Sequence, residues 1–478
     1  MSLAITRPKL KKLGFFRYRK VRDFFVLTND AGEYCILSPR EFEFFLEGFH
    51  DRLSAVRREE LLQKDFIKNE GSLDRLSRIY SVKKSFLVRG PSLHIVVVTL
   101  RCDHACTYCQ ASADTMRASH LDMDYTTAGT IVERIFESPN MNIAIEFQGG
   151  EPLLNFKIIK FIVLAALRRN AKAGKNVRFT VVTNLALMNT AIMRFFLKYK
   201  VHICTSLDGP EQLHNKLRTS VVQKNTQKNA VRWLRILKKE YAYAKIPLRP
   251  GALSTITRFS LPYPSEIIDS YLKAGLSGIH LRPVTSFGVS PRVWKTIGIQ
   301  ADEFLQFYYK AFEYIIALNK KGEFFTERYA QIFLAKMLTK YDPDFLDVRS
   351  PCGAGIGQLA YDYNGDVFTC DEGRMLMRRG VDAFRLGNVR DNSYGDFVQH
   401  DTVKAMCTAS CLEIVPGCSQ CAYQPYCGVC PLSNFVAEND IFKKSNFLCS
   451  VQRGLIDFLF EKIRDNSCRA LLENWVKH

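Results

Sequence analysis

Short apolar runs alternate with helical patterns through the middle of the chain, and this alternation constrains the fold more than any other feature of the sequence. Six runs rich in Val, Ile, Thr or Phe are predicted strands, and they cover residues 93–100, 142–147, 177–183, 201–206, 253–256 and 278–283. Helical patterns such as 127–137 and 158–170 separate them. Strands that alternate with helices indicate parallel β/α architecture. Six such units predict a partial (βα)6 barrel, with the site at the carboxyl ends of the strands.

Three cysteines stand directly after the first predicted strand. Cys102, Cys106 and Cys109 have the spacing CxxxCxxC within TLRCDHACTYCQ. An iron–sulfur cubane normally takes four cysteines, so a loop that offers three leaves one iron without a protein ligand. Zinc is the alternative, because cysteine pairs on turns often bind it, but zinc sites favour paired cysteines and four ligands. The triplet therefore favours a 4Fe-4S cluster with an open coordination site.

This triplet, with an aromatic residue before its last cysteine, resembles that of the radical S-adenosylmethionine (radical SAM) enzymes. The resemblance implies that SAM chelates the open iron through its amino and carboxylate groups. It also implies that an electron from the cluster splits SAM into methionine and a 5′-deoxyadenosyl radical. Tyr108, the aromatic residue, would then lie against the adenine.

The segment after the second predicted strand also matches the family. It reads FQGGEP and contains Gly149, Gly150 and Glu151. Glycines let the backbone approach a ligand closely, and the resemblance implies that this segment binds the SAM amino group. Asn184, which ends the third strand, matches a family position near SAM.

The fourth predicted strand ends in TSLDGPEQLHNKLR, which resembles the SxDGP segment of radical SAM enzymes that modify proteins and peptides. The resemblance implies that Ser206 reaches the SAM carboxylate or ribose and that Arg218 supports this contact. The Asp208-Gly209-Pro210 segment also fits a simple turn. His214 is interpreted as a structural helix residue.

The chain from about residue 349 onward carries ten cysteines, few long apolar runs and many turn residues. Seven of these cysteines form a pattern: Cys352, Cys370, Cys418, Cys421, Cys427, Cys430 and Cys449. The pattern resembles the SPASM extension, which binds two auxiliary 4Fe-4S clusters. A zinc ribbon is the alternative.

The resemblance assigns the seven cysteines to two clusters. Cys352, Cys370 and Cys430 would bind the first auxiliary cluster, and Cys418, Cys421, Cys427 and Cys449 would bind the second. Two departures from the family stand out: two residues, rather than three, separate the cysteines of CGVC, and no cysteine follows Cys352 closely. The fourth ligand of the first auxiliary cluster is therefore Cys407, Cys411 or an open site.

Asp371 directly follows Cys370. In anaerobic sulfatase-maturating relatives an aspartate at this place acts as a base toward the substrate, so the resemblance implies a catalytic role for Asp371. A solvated turn residue is the alternative. Cys35, Cys204 and Cys468 stand alone and are predicted to be small buried apolar residues.

A chain of 478 residues predicts two or three domains. We expect a small α+β, winged-helix-like domain over 1–90, the TIM-like radical SAM barrel over 91–345 and a SPASM-type auxiliary-cluster domain over 346–478. The first resembles the peptide-recognition element of enzymes that modify ribosomal peptides, and a packing extension is the alternative. The formal net charge of +19 favours contact with something acidic, or is diffuse solubility charge.

The location of the protein is predicted from its apolar segments and its cysteines. The start of the chain lacks the apolar region of a signal peptide, and the longest apolar runs are too short to cross a bilayer. We therefore expect a cytoplasmic protein without membrane contact. In that compartment clustered cysteines indicate metal or redox chemistry rather than disulfides.

Over nearly its full length the chain resembles the radical SAM maturases of the His-Xaa-Ser system, on segments that include CAYQPYCGVCPLSNF and LTNDAGEYCILSPREF. The resemblance implies modification of a small ribosomally made precursor peptide, with a reducing electron donor such as flavodoxin or ferredoxin and a second radical SAM maturase as further partners. Formylglycine formation, as in sulfatase maturation, is an alternative. A zinc-bearing nucleic-acid-binding protein is an alternative of another class, favoured by the charge and the CxxC pairs.

Overall fold

The N-terminal part of the molecule is a three-stranded antiparallel sheet followed by three helices. The computed structural model describes residues 13–288, 290–340 and 342–477, so the first twelve residues, on which the signal-peptide prediction partly depends, lie outside the described residues. The elements are β1 Arg17–Val21, β2 Phe24–Thr28, β3 Tyr34–Leu37, α1 Pro39–Glu47, α2 Ala55–Gln63 and α3 Ser72–Lys83. Helix α1 begins at Pro39, because Ser38 caps it, Pro39 takes its first position and Glu41 completes a capping box.

The middle of the chain alternates strands and helices as predicted. Its elements are β4 Leu93–Thr99, β5 His104–Cys106, α4 Tyr125–Glu137, β6 Asn142–Gly149, α5 Phe156–Ala173, β7 Asn176–Val182, α6 Thr190–Lys198, β8 His202–Ser206, α7 Glu211–Leu217, β9 Arg218–Ser220, α8 Thr226–Tyr243, β10 Gly251–Ile256, α9 Pro264–Ala274, β11 Gly278–Ile279, β12 Leu281–Pro283, α10 Ser290–Ile297, α11 Ala301–Lys320, β13 Thr326–Glu327 and α12 Arg328–Leu338.

The principal sheet is built from neighbours in chain order. Strands β4, β6, β7, β8, β10 and β12 lie side by side, and every pairing among them is parallel. Their apolar side chains pack against helices such as α4, α5 and α6 in a large buried cluster. The parallel β/α architecture is confirmed, and the carboxyl ends of six strands meet at one edge of the sheet.

The sixth predicted strand differs from expectation, because it is split at His280. Strand β11, before the split, pairs with β13, whereas β12, after it, pairs with β10. Burial does not distinguish the two halves, since Ile279 and Leu281 are both fully enclosed. The change of partner therefore depends on the distant β13 segment, which a local pattern does not reveal.

The cysteine-rich part of the chain contributes strands to the same sheet, and the sequence did not predict them. Its elements are β14 Gln358–Tyr361, β15 Asp366–Phe368, α13 Asp371–Met377, β16 Arg385–Asn388, α14 Tyr394–Val398, α15 Asp401–Ser410, α16 Pro431–Glu438, α17 Asn446–Arg464 and α18 Asn466–Trp475. Strand β14 pairs in parallel with β4, and β15 and β16 continue the sheet antiparallel. These strands have only three or four residues each, so they carry little alternation to detect.

The N-terminal sheet packs on the C-terminal part of the chain. Arg19 on β1 makes a two-pronged ion pair with Asp457 on α17, with Nε and Nη2 each 2.7 Å from a carboxylate oxygen. The Thr28 hydroxyl donates to the Ala422 carbonyl at 2.6 Å. Such paired Arg–carboxylate geometry fixes orientation as well as position. Over the described ranges, no helix combines the length and apolarity needed to cross a membrane.

Candidate active site at the carboxyl ends of the strands

The loop with the cysteine triplet leaves β4 at the carboxyl edge of the sheet and is held by backbone hydrogen bonds. The Cys102 N–H donates to the Asp114 carbonyl at 2.9 Å, and the Cys109 N–H donates to the Cys106 carbonyl at 3.1 Å. Within the loop, β5 pairs antiparallel with β9, which sets Cys106 opposite Arg218. The His104 N–H donates to the Cys102 sulfur at 3.3 Å. Three partly buried thiols are thus gathered on one pinned loop, which suits a cluster that takes three protein ligands.

Gly149 and Gly150 lie against this loop so closely that no side chain fits. A Cβ on Gly149, whose φ is +145°, would lie 2.0 Å from the Thr99 carbonyl oxygen, and one on Gly150 would lie 2.2 Å from that of Arg101. The Gly150 and Glu151 N–H groups donate to these same two carbonyls. The close approach that we expected toward a ligand is thus observed toward the backbone at the end of β4, while a SAM contact stays a prediction.

Glu151 is fully buried and links the loop after β6 to the loop after β7. Its carboxylate accepts hydrogen bonds from the Leu153 N–H, the Thr183 hydroxyl and the Asn184 N–H at 3.0, 2.7 and 2.8 Å. Burial raises the pKa of Glu151 to about 7, although these donors oppose the shift. In this structure Glu151 therefore holds Asn184 in place.

Asn184 lies beside the first cysteine of the triplet. Its Nδ2 donates to Asp103 Oδ1 at 2.7 Å and lies 2.8 Å from His104 Nδ1. The buried Asp103 carboxylate is in turn 3.0 Å from His104 Nδ1. Because Asp103 and His104 directly follow Cys102, this polar group fixes the loop and the end of β7 to one another.

Tyr108 is enclosed between a cation and a carboxylate. Its hydroxyl donates to Asp208 Oδ2 at 2.5 Å, and Arg218 Nη1 donates to the Tyr108 oxygen at 2.8 Å. Burial raises the pKa of both Tyr108 and Asp208, and the Arg218 charge opposes the rise. Thr255 on β10 donates its N–H to Asp208 Oδ1 at 3.1 Å. Asp208 is a site residue that was predicted only as part of a turn. Its position two residues after Ser206 was the sequence signal that it belongs to the site.

Ser206 and His214 lie on either side of Asp208 in the sequence. Ser206 is the last residue of β8, is partly buried and pairs with Leu253 of β10. His214 is buried, its Nδ1 accepts the Asp208 N–H at 3.2 Å, and burial lowers its pKa well below the ordinary value. A neutral acceptor that supports Asp208 fits the structural interpretation of His214.

Cys352, Cys370 and Cys430 come together in the C-terminal part of the molecule. All three belong to one apolar cluster with Met406 and Leu432. Burial raises the pKa of the Cys352 and Cys370 thiols well above the ordinary value. Thiols this deeply buried stay protonated and unreactive unless a metal ion replaces the proton. These three sulfur ligands therefore fit an iron–sulfur cluster.

A carboxylate that the sequence did not single out faces these three thiols. Glu372 interacts electrostatically with Cys352, Cys370 and Cys430. Burial, followed by the neighbouring Asp347 and Asp371, raises the pKa of Glu372 to about 7. Only its adjacency to Cys370 could have indicated it.

The four remaining cysteines of the pattern line one cavity. Cys418, Cys421, Cys427 and Cys449 surround it together with Gln452 and Lys444, and Cys430, which was assigned to the first set, also lines it. The Cys427 thiol donates to Gln452 Oε1 at 2.6 Å. In the part of the chain that the structure describes, no three His, Cys, Asp or Glu side chains lie close enough to hold a single metal ion. Thiols around a cavity suit a group of several atoms, such as a four-iron cluster.

The two candidates for a fourth ligand have other neighbours. The Cys411 thiol donates to Glu413 at 3.4 Å, and Cys407 packs against the apolar cluster between the principal sheet and its helices, not the one that holds Cys352 and Cys370. These contacts do not involve Cys352, Cys370 or Cys430. The fourth ligand of the first auxiliary cluster thus stays a prediction.

Asp371 begins helix α13 and is buried rather than solvated. Only 7% of it is exposed, and its Oδ1 accepts a hydrogen bond from Arg374 Nε at 2.8 Å. Arg374 is completely enclosed. The same helix contacts the cysteine-triplet loop, because Arg378 Nη2 donates to Asp114 Oδ2 at 3.3 Å. Asp371 therefore lies where the C-terminal part of the chain meets that loop.

Known proteins with similar sequences fit this geometry. Residues 96–251 match the model of the radical SAM superfamily. An uncharacterized protein of Methanocaldococcus jannaschii is 30% identical over 193 residues, which span 40% of this chain and 63% of that protein, less than two thirds of its length. The cysteine-type anaerobic sulfatase-maturating enzyme of Clostridium novyi is 21% identical over 344 residues, 71% of this chain and 87% of that enzyme.

Two solved structures share the fold. Native anSMEcpe with bound AdoMet matches with a TM-score of 0.67 and 17% identity, over 80% of this chain and 99% of that one. Streptococcus suis SuiB bound to precursor peptide SuiA matches with a TM-score of 0.55 and 13% identity, over 91% and 98%. The chain thus contains a radical SAM domain, has the fold of SPASM-type radical SAM enzymes, and is an enzyme that uses SAM and a 4Fe-4S cluster. The enzyme interpretation is confirmed over a zinc-bearing nucleic-acid-binding protein.

Proposed function

We propose that this radical SAM enzyme, which is related to sulfatase maturases and to maturases of ribosomally made peptides, modifies a precursor peptide with His-Xaa-Ser repeats. The observation that carries the proposal is the extent of the fold likeness to SuiB bound to its precursor peptide, which covers 91% of this chain against 80% for anSMEcpe. A match over 91% of this chain extends beyond the barrel and is wide enough to include part of the N-terminal sheet and helices. A peptide substrate gives those parts of the molecule a function that the barrel alone does not explain.

In this proposal the loop after β4 carries the SAM-binding cluster. Cys102, Cys106 and Cys109 bind three of its irons, and the open iron takes SAM. Bound there, SAM would supply the 5′-deoxyadenosyl radical chemistry that takes a hydrogen atom from a peptide side chain. The residues proposed to bind SAM are Tyr108, Gly149, Gly150, Glu151, Asn184, Ser206 and Arg218.

The chain's own part is to position these groups and to exclude water. Glu151 holds the Asn184 backbone at 2.8 Å, and Asp208 holds the Tyr108 hydroxyl. Both carboxylates are fully buried, so neither contact is weakened by solvent. The site is thereby shaped before SAM binds.

Two auxiliary clusters complete the proposed site. Cys352, Cys370 and Cys430 bind one, and Cys418, Cys421, Cys427 and Cys449 bind the other. Cys352 and Cys370 share an apolar cluster against which Cys430 packs, and the second four line a common cavity. Cys430 also borders that cavity, so its place in the first set rests on the family resemblance. Their role is to accept the surplus electron or to position the peptide.

The partners follow from the same proposal. The basic chain, with its net charge of +19, attracts an acidic segment of the peptide by long-range electrostatics. A reducing donor of the flavodoxin or ferredoxin type supplies the electron, and a second radical SAM maturase acts on the same peptide. We place this chemistry in the cytoplasm.

Formylglycine formation from serine or cysteine is a second candidate function. It is favoured by one observation, the burial of Asp371 beside Cys370, because a buried carboxylate there can act as a base toward a substrate thiol or hydroxyl. The relationship to the Clostridium novyi sulfatase-maturating enzyme agrees with it equally well. Only the substrate separates the two candidates.

Parallel incubations with two candidate substrates test the proposal. Anaerobically purified, reduced enzyme is incubated with SAM and either a synthetic His-Xaa-Ser repeat peptide or a sulfatase-type peptide with a central cysteine. We expect 5′-deoxyadenosine in both incubations and a mass change only in the repeat peptide. The Cys102→Ala/Cys106→Ala/Cys109→Ala variant is the control and should form neither product. A mass change of the sulfatase peptide alone would favour the second candidate and contradict the first.

A further inference from the structure

We infer that Arg374 is a positioning residue for the SAM-binding cluster, whose reduced state it stabilises by donating hydrogen bonds from its guanidinium to the cluster's sulfur atoms. The inference rests on the proposed ligands Cys102, Cys106 and Cys109, but not on the identity of the peptide.

Arg374 is a buried cation with unused hydrogen-bond donors. None of its surface is exposed, and Nε is engaged by Asp371 at 2.8 Å. Nη1 and Nη2, which carry the other four N–H donors, have no partner among the described residues. Leaving the donors of a buried charge unpaired is strongly unfavourable. The arrangement therefore points to an acceptor that the polypeptide itself does not supply.

The surroundings of Arg374 indicate which acceptor this is. The ionisable side chains that lie near its guanidinium are Asp371, Asp362 and Cys109. Asp362 Oδ1 already accepts the Tyr363 N–H at 2.9 Å, and Asp371 already accepts from Nε. Cys109 is the last ligand of the proposed SAM-binding cluster. Thiolate and sulfide sulfurs of such a cluster accept hydrogen bonds and carry negative charge.

The helix that carries Arg374 is held against the same loop at a second point. Arg378, which caps the carboxyl end of α13, donates to the Asp114 side chain at 3.3 Å, and the Asp114 backbone carbonyl accepts the Cys102 N–H at 2.9 Å. Helix α13 starts directly after Cys370. Arg374 thus lies between the proposed ligands of two different clusters.

This placement has a definite effect on electron transfer. Reduction adds one electron from the external donor to the SAM-binding cluster and makes it more negative. A neighbouring cation and donated hydrogen bonds both favour that state, since net charge and hydrogen bonds to sulfur set cluster potentials. Without Arg374 the cluster should be harder to reduce.

Redox titration of the holoenzyme measures the effect. The enzyme and its Arg374→Gln and Arg374→Lys variants are poised with dithionite and followed by EPR, and the signal that changes on SAM addition identifies the SAM-binding cluster. At a fixed potential we expect about tenfold less reduced cluster in Arg374→Gln, a shift of about 59 mV for a one-electron couple. Arg374→Lys, which keeps the charge but loses the fork of donors, should lie between the two.

Arg385→Gln is the matched control. Arg385 lies in the same part of the chain, is 42% exposed and pairs with Asp366. Its replacement therefore removes one positive charge that is partly screened by solvent and bound to another carboxylate. Its potential should equal that of the wild type. Iron and sulfide contents, measured on all proteins, separate a shifted potential from a lost cluster.

Pulsed EPR of reduced wild-type protein labelled with 15N-arginine tests the contact itself. Arg218, opposite Cys106, also carries the label, so we expect one component of the 15N coupling to be lost in Arg374→Gln, or in Arg374→Lys if the glutamine variant fails to fold. A fully loaded Arg374→Gln protein with an unchanged potential, or a 15N coupling that is the same with and without Arg374, would overturn the inference. A normal potential shift in an enzyme that modifies neither test peptide would instead contradict the proposed substrate and leave the role of Arg374 standing.

Discussion

The hydroxyl of Tyr108 donates a hydrogen bond to the buried carboxylate of Asp208, a residue 100 positions later in the chain. One partner belongs to the cysteine-triplet loop and the other to the loop after the fourth parallel strand. Arg218 joins them through its 2.8 Å hydrogen bond to the same hydroxyl. The position of the Tyr108 ring is therefore determined by two loops at once.

Replacing this carboxylate should weaken SAM binding. In Asp208→Asn the amide retains one acceptor oxygen for two donors, Tyr108 and Thr255, and no longer balances the Arg218 charge. A hydrogen bond to a charged group contributes about 1.5–3 kcal/mol, so we expect SAM affinity to fall at least tenfold in equilibrium titrations of the reconstituted enzyme. Asp269→Asn is the control, because Asp269 accepts from the Tyr314 hydroxyl at 2.7 Å away from the site. Equal SAM affinity in Asp208→Asn and wild type would contradict the role of Asp208.

A methyl group at Gly150 should destabilise the fold itself. The added carbon would lie 2.2 Å from the Arg101 carbonyl oxygen, and backbone at both positions would have to move. Overpacking of this kind costs about 1–3 kcal/mol or more, which thermal or urea unfolding under anaerobic conditions can measure for Gly150→Ala. Gly395→Ala offers a matched comparison, since the nearest atom to its Cβ is the Ser393 hydroxyl oxygen at 3.6 Å. A Gly150→Ala protein as stable as Gly395→Ala would show that the contact relaxes at no cost.

Iron content should report the second auxiliary set separately. Cys418→Ala/Cys421→Ala removes two of the four proposed ligands of the second auxiliary cluster, both of which line one cavity, so we expect the loss of about four irons per chain, the content of one cubane. Formation of 5′-deoxyadenosine should persist, because the triplet at 102–109 is untouched. Cys468→Ala, which changes a buried cysteine outside both sets, should keep its full iron content. Loss of every cluster in the double variant would show that the sets do not load independently.

His94 should make the protein sensitive to acid. His94 lies on β4 and is completely buried. Its Nδ1 is 3.1 Å from the hydroxyl of Tyr361 on β14, and burial lowers its pKa to about 3. The unfolded chain, with a pKa near 6.5, takes up the proton first, so this contribution to stability is present above pH ~6.5 and is lost as pH falls toward the folded-state value.

The pH dependence is measured by urea unfolding at pH 7, 6 and 5. The contribution of His94 should decline by about 1.4 kcal/mol per pH unit below ~6.5. His94→Gln, which keeps a polar group near Tyr361 but does not titrate, should lose less stability over this range than the wild type. Parallel curves for the two proteins would mean that other groups cause the acid sensitivity.

Local patterns were sufficient for the barrel and for the first cysteine loop. Each predicted parallel strand is a run of apolar residues with helices on either side, and the triplet at 102–109 is adjacent in sequence. The capping residues of α1 were equally local. Such features are determined within a window of a few residues.

The remaining features depend on partners far along the chain. Strand β14 is recognisable only through its pairing with β4, and the contact of Asp208 with Tyr108 joins residues 100 positions apart. In the segment DEGRMLMRR, Arg374 cannot be distinguished from the neighbouring basic residues, and only the structure shows that it is completely buried. The glycines at 149 and 150 were noticed, but the carbonyls that exclude a side chain there are about fifty residues away.

The pairing of β14 with β4 also bears on how the protein is made. Leu93–Thr99 leaves the ribosome early, yet one of its two edges has no neighbour until Gln358–Tyr361 has been synthesised. An apolar strand with an open edge invites pairing with other chains. During translation, the strand that leads into the cysteine-triplet loop thus keeps an open edge until residue 361 has been made.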